Sequence, residues 1–131
     1  MAIKFPPLKG TLLVCDFHSS VAPEICKRRP VVVVSGANKR HGLVTVVPLS
    51  TTKPSPIEGW HCLIETQLPH PYGNSKHAYA KCDLVMSVSY QRLHLFFDGK
   101  DANGKRKYIY PVIVDNEMHQ VGECIKEFLQ I

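Results

Sequence analysis

The stretch Lys27-Arg28-Arg29-Pro30-Val31-Val32-Val33-Val34-Ser35 decides how this chain is read. Four valines in a row carry no period that separates strand from buried helix, but their β-branching and the proline before them favour a central strand. A cationic cluster therefore stands on the lip of a buried strand. One short strand later, Pro48-Leu49-Ser50-Thr51-Thr52 brings a set of hydroxyls. Planar guanidinium donors beside hydroxyl donors are what a protein needs to hold a phosphodiester. The same residues also fit a plainer reading, a solvated basic lip paired with Glu24 and a hydroxyl-rich turn.

Outward from this block, residues 12–17 read as a first strand and residues 18–24 as a loop. Residues 37–42 form a polar turn, and residues 43–47 make a strand that Pro48 closes. Extended structure resumes over 60–65, and 67–76 is an irregular surface loop. Residues 78–88 return to strand, with a break expected near Asp83. Residues 93–97 and 108–114 flank Asp98-Gly99-Lys100-Asp101-Ala102-Asn103-Gly104, a hairpin signal whose second arm Pro111 demotes to an edge or irregular segment. Met118, Val121, Cys124, Ile125, Phe128 and Leu129 recur at three and four residues, which predicts one closing amphipathic helix capped by Asp115 or Asn116. The expected architecture is mainly β and antiparallel, a curled sheet or small barrel with the C-terminal helix packed on it.

The 131 residues suit one domain, 1–131, with 44% apolar and 21% charged residues excluding disordered and collagen-like classes. A net charge of +5 with seven histidines in reserve makes a polyanionic partner plausible without requiring one. The five cysteines are odd in number, scattered and free of any Cys-x-x-Cys pair, so a reduced cytoplasmic chain is expected rather than a disulfide framework or zinc ribbon. No apolar run approaches a membrane span, and Pro6-Pro7 interrupts a start with no signal-peptide pattern.

Lys81-Cys82-Asp83 is a third candidate. Strand alternation would set Lys81 and Asp83 on one face and turn Cys82 to the other, so a cation and a carboxylate could divide electrostatic stabilisation and proton transfer, or simply form a surface ion pair. His18, His41, His61, His70 and His77 lie in or beside loops without metal-ligand spacing, so no metal or other cofactor is expected. His18 or His77 could serve as a base near neutrality, and either fits equally as a solvated loop residue. Trp60, Tyr72 and Tyr79 could stack unpaired bases or pack as core.

In order, residues 10–17, Glu24, Arg28 to Ser35, Val46 to Thr52, Lys81-Cys82-Asp83 and Ser87 to Leu93 resemble the PemK/MazF (Kid-like) toxins of bacterial type II toxin-antitoxin systems. The spacing of the Arg-Pro-Val-Val block from the Pro-x-[Ser/Thr]-Thr block carries most of this, and the match runs over nearly the whole chain. The resemblance implies an SH3-like barrel of the CcdB/MazF type and a homodimer. It implies a metal-independent, sequence-specific endoribonuclease that cleaves single-stranded RNA by attack of the 2′-hydroxyl, leaving a 2′,3′-cyclic phosphate and a 5′-hydroxyl, and that a cognate antitoxin neutralises. By position, Arg29 would stabilise the phosphorane and is a candidate general acid. Ser50 replaces the usual threonine as phosphate donor, and Lys81 and Asp83 stand where Kid-like members carry an arginine and the proposed base. Glu24 matches an acidic residue of the substrate loop, and Lys27, Arg28, Thr51, His18 and His77 complete the candidate substrate surface. The chain departs from the pattern at His18, at Pro23 where some members have a loop histidine, in the longer loop 67–76, and in the more elaborate stretch 98–110. Two rivals share the fold: a CcdB-like toxin that poisons gyrase by protein contact, and a catalytically inactive nucleic-acid-binding or regulatory module.

Overall fold

The computed structural model describes residues 2–18, 20–38, 40–74 and 77–131; Ser19, Lys39, Ser75 and Lys76, parts of three expected loops, lie outside the described residues. Its strands are β1 (Leu12–Cys15), β2 (Arg29–Val33), β3 (Leu43–Ser50), β4 (His61–Ile64), β5 (Ala78–Lys81), β6 (Met86–Ser89), β7 (Leu93–His94), β8 (Phe96–Lys100) and β9 (Arg106–Ile109), followed by helix α1 (Asp115–Leu129). The valine block is central, as its composition requires, with β1 on one side and β3 on the other. The seven-stranded antiparallel sheet runs β4-β5-β3-β2-β1-β7, with β6 also on β3, and β8 and β9 form a separate hairpin. The class is therefore mainly β with one C-terminal helix. The sheet is curled but open, since among the described residues no ladder joins β7 to β4.

Strand β3 organises the molecule. It does not end at Pro48 but continues to Ser50: Val46 to Pro48 lie against β2 on one edge, while on the other edge Leu43 to Val46 lie against β6 and Leu49 and Ser50 against β5, so Pro48 falls in the gap between those two ladders. A proline costs little at a position where the backbone changes neighbours. The other edge of β3 is shared by β5 and β6, and the two registers differ by three residues. Those three are Cys82–Leu84, a one-turn 3-10 helix that interrupts the expected strand where the break was anticipated.

Alternation sorts the side chains into two cores. Leu12, Val14, Val32, Val47, Leu49, Ala78 and Ala80 fill one, covered by α1 through Val121, Met118 and Ile125. Leu13, Cys15, Val31, Val33, Val44 and Val46 fill the other, covered by Ile3, Phe17 and Leu93. Each fully buried Val or Leu contributes about 1.5–3 kcal/mol, so the paired aliphatic strands dominate the stability.

Other boundaries also differ from expectation, the expected strand 93–97 being split at Leu95 into β7 and β8. The first strand stops at Cys15 because the amide of Asp16 turns to the carbonyl of Arg92, and the guanidinium of Arg92 donates to the carbonyl of Asp16 at 3.0 Å. The second hairpin arm ends at Ile109, after which residues 110–113 fold back on β1, the Leu12 amide donating to Pro111 and the Ile113 amide to Gly10. The helix cap is Val114, in extended conformation and with no side-chain cap; Asp115 instead sits in the first turn, where its charge complements the helix dipole. No described helix is long and apolar enough to cross a membrane.

Candidate active site

The site grows from the register of β2, β3 and β5. Arg29 lies opposite Cys15 and two residues before Val31, both of which point into the second core, so Arg29 belongs to that face of the sheet. Ser50 stands two residues beyond Pro48, the partner of Val31, and pairs with Tyr79. Leu49 and its partner Ala80 point into the first core, so Ser50, Tyr79 and Lys81 fall on the opposite face, that of Arg29. Neighbouring strands lie about 5 Å apart, so three adjacent strands bring guanidinium, hydroxyl and ammonium stems to one corner of one face.

Each group is held differently. Arg29 is half-buried, and its Nε is buried with no hydrogen-bond partner. Ser50 is only 6% exposed, and its Oγ accepts from the Thr52 amide at 3.2 Å, which fixes the oxygen and leaves its proton available to donate. Lys81 ends β5, half-buried. Asp83 is not on a strand beside Lys81, as alternation had suggested. It lies in the 3-10 turn, while Cys82 turns into the first core with its thiol near the Val121 carbonyl. The turn replaces strict alternation, yet Asp83 remains half-buried with Oδ1 buried and unpartnered. An unpaired donor on Arg29 and an unpaired acceptor on Asp83 are costly unless a ligand or solvent completes them, typically about 1–3 kcal/mol each.

The remaining candidates are more peripheral. Glu24 is exposed and its Oε1 accepts from the Val21 amide at 2.8 Å, closing the turn of the loop before β2 rather than pairing with Arg28 or Arg29. Cys26 braces the same loop on the carbonyls of Ser20 and Glu24. Lys27 and Arg28 are exposed at its end, His18 and His77 are exposed, and Thr51 is half-buried. Arg28 also lines a separate cavity beside the β8–β9 hairpin.

Thiol chemistry fits the site poorly. Burial pushes Cys15 and Cys62 up to about 12 and raises Cys82 still further, so these sulfurs stay protonated and pack. Among the described residues, no group of three or more His, Cys, Asp or Glu is arranged to hold a metal ion.

Sequence reading overlooked two features. One is Glu117, buried at the start of α1 and bonded to Glu65 and Thr66; the other is the aromatic pair Phe97 and Tyr108 on the hairpin. The second was legible in principle, because both rings fall on the outward alternation of their strands.

Comparison with known proteins agrees with the fold. The sequence profile of the PemK-like, MazF-like toxins of type II toxin-antitoxin systems matches residues 8–129. The chain is 32% identical over 114 residues to the Escherichia coli K12 protein YifN, covering 72% of this chain and 76% of that one. It is 30% identical over 105 residues to an uncharacterised Haemophilus influenzae protein, covering 70% and 72%. Among solved structures it is similar to MazF from Deinococcus radiodurans, with a TM-score of 0.67, 17% identity and coverage of 98% and 100%. It is also similar to a mycobacterial endoribonuclease in complex with its cognate antitoxin, with a TM-score of 0.64, 16% identity and coverage of 95% and 96%.

Proposed function

The chain belongs to the PemK-like, MazF-like toxins of type II toxin-antitoxin systems, and from that premise we propose that it is a cytoplasmic endoribonuclease that cleaves single-stranded RNA without a metal and is neutralised by an antitoxin. The reading is carried by the register that sets Arg29, Ser50 and Lys81 on one face of three adjacent strands, together with the buried, unpartnered atoms of Arg29 and of Asp83 in the turn after β5.

In the proposed reaction Asp83 takes the proton of the ribose 2′-hydroxyl, and the resulting oxygen attacks the adjacent phosphorus. The P–O5′ bond breaks, giving a 2′,3′-cyclic phosphate and a 5′-hydroxyl once the leaving oxygen is protonated. Arg29 donates to the equatorial oxygens of the phosphorane and is a candidate source of that last proton; the Ser50 hydroxyl and the Lys81 ammonium add donors and countercharge. Lys27, Arg28, Thr51, Glu24, His18 and His77 line the path of the strand. DNA, which lacks the nucleophile, is expected to resist. A homodimer is expected by analogy with the family.

The test is cleavage of unstructured RNA by the purified protein in EDTA. Cleavage is expected from the parent, and Arg29→Ala should lower it by about 10²–10³-fold, the cost of one oxyanion-type donor. Intact RNA with the parent protein would favour the gyrase-poison reading, and undiminished cleavage by Arg29→Ala would remove this site from the mechanism.

A further inference from the structure

The hairpin formed by β8 and β9 packs only one of its faces into the body of the protein. Phe96 and its partner Ile109 turn inward, Phe96 being fully buried against the edge of Tyr72. The next pair, Phe97 and Tyr108, therefore points out. These rings are 46% and 40% exposed, sit 5.9 Å apart at 44°, and carry the Arg106 guanidinium 5.8 Å above Phe97. Two large rings held in solvent under a cation bring little to the core.

The hairpin is built to hold them there. Gly99, with φ +78°, forms the bulge between Phe97 and Lys100, a conformation L side chains rarely adopt. At the tip, Asp101 accepts from the amides of Asn103 and Lys105 and closes the turn. Lys107 pairs with Asp98 at 3.7 Å, so the balance of Lys100, Lys105 and Arg106 leaves the hairpin cationic.

Alongside these rings lies a cavity of about 260 Å³, lined by Phe97, Tyr108, Tyr72, His70, His94 and Arg28. Arg28 adjoins Arg29, the guanidinium of the candidate active site; it lines the cavity together with Val14, a first-core residue, whereas Arg29 belongs to the second-core face. A strand of RNA lying across the start of β2 would meet Arg29 on one side and this cavity on the other.

We propose that the cavity is a subsite for one unpaired nucleobase of the RNA strand, stacked on Phe97 and Tyr108 and gripped at its backbone by Arg28. The proposal rests on the ribonuclease reading and adds where a base next to the cleaved linkage is held. A base offers a π-face to the rings and polar edges to the histidines, and its phosphate offers a charge to Arg28 and Arg106. An apolar peptide would leave that cationic surround unanswered.

The experiment is binding of a fluorescently labelled single-stranded RNA whose 2′-hydroxyls are replaced by fluorine, so that it cannot be cleaved, compared with an abasic strand of the same length. Phe97→Ala/Tyr108→Ala is expected to weaken binding of the base-bearing strand by roughly ten- to a hundredfold, the scale of one lost base stack, and to leave the abasic strand unaffected. Phe97→Tyr and Tyr108→Phe, which keep the rings, should bind like the parent, which separates lost stacking from a disturbed fold. Equal losses on both strands, or no loss on either, would overturn the subsite while leaving the ribonuclease reading intact. Failure of the parent itself to bind the RNA would overturn both. Unchanged RNA binding with loss of antitoxin capture would reassign the cavity to a protein partner.

Discussion

At Asp83 the chain leaves β5 and coils once before entering β6, which leaves one carboxylate oxygen buried and unpaired close to the sheet corner that carries Lys81. If that oxygen is the base, Asp83→Asn keeps the shape of the side chain and removes the proton acceptor. Turnover should then fall by about 10²–10⁴-fold. Single-turnover cleavage reads the loss; a variant that cleaves as fast as the parent would move the base to another group, with His77 the first to test. The guanidinium and hydroxyl of this corner were legible in the sequence because each follows from its own strand: Arg29 from the valine block behind it, Ser50 from the proline-led block. The setting of Asp83 was not, because strand alternation assumes an unbroken ladder and the turn inserts three residues that no local pattern announces.

Among the elements, α1 docks through a side chain that its amphipathic stripe does not reveal. Glu117 is 7% exposed and accepts from the amides of Glu65 at 2.5 Å and Thr66 at 3.1 Å, and from the Thr66 hydroxyl. The carboxylate thus satisfies the backbone leaving β4, fifty-two positions earlier in the chain. Burial raises the cost of its charge, but the hydroxyl and amide donors outweigh burial and hold the carboxyl below its ordinary value. A depressed folded value stabilises the fold above the unfolded value and loses that contribution as pH falls through the folded one. Glu117→Gln should therefore cost about 1.5–3 kcal/mol at neutral pH, the worth of hydrogen bonds to a charged acceptor, and the difference from the parent should shrink in acid. Urea unfolding of both proteins from neutral to acidic pH measures this directly. The existence and span of the helix were readable from its three-and-four spacing, whereas its cap was not. Asp115 and Asn116 look like caps, but the fold uses Val114 for the backbone turn and leaves Asp115 to the dipole.

For the whole molecule, what sequence could not supply was the partner change along β3, because the edge opposite β2 passes from β6 to β5, strands that lie far along the chain from β3. That change is also what gathers dispersed charges: it carries Ser50 past Pro48 to β5 and so aligns the end of β3 with Arg29 and Lys81. Net charge alone, +5, suits many partners. Its arrangement is more discriminating, since Lys27, Arg28, Arg29 and Lys81 cluster where β2 begins and β5 ends. If these four cations each meet one phosphate, binding to single-stranded RNA should weaken with salt at a log–log slope of about −3, from about 0.7 per contact. Replacing Arg28 or Lys27 by Ala should flatten the slope by a little under one and weaken all sequences alike, because phosphate contacts carry no base information. Titrations of uncleavable RNA over a series of salt concentrations give the slope. A gyrase-poisoning member of the fold would show no such dependence on RNA, and an inactive RNA-binding member would keep the slope while the parent protein cleaved nothing. The salt titration and the cleavage assay together thus separate the three functions that this fold supports.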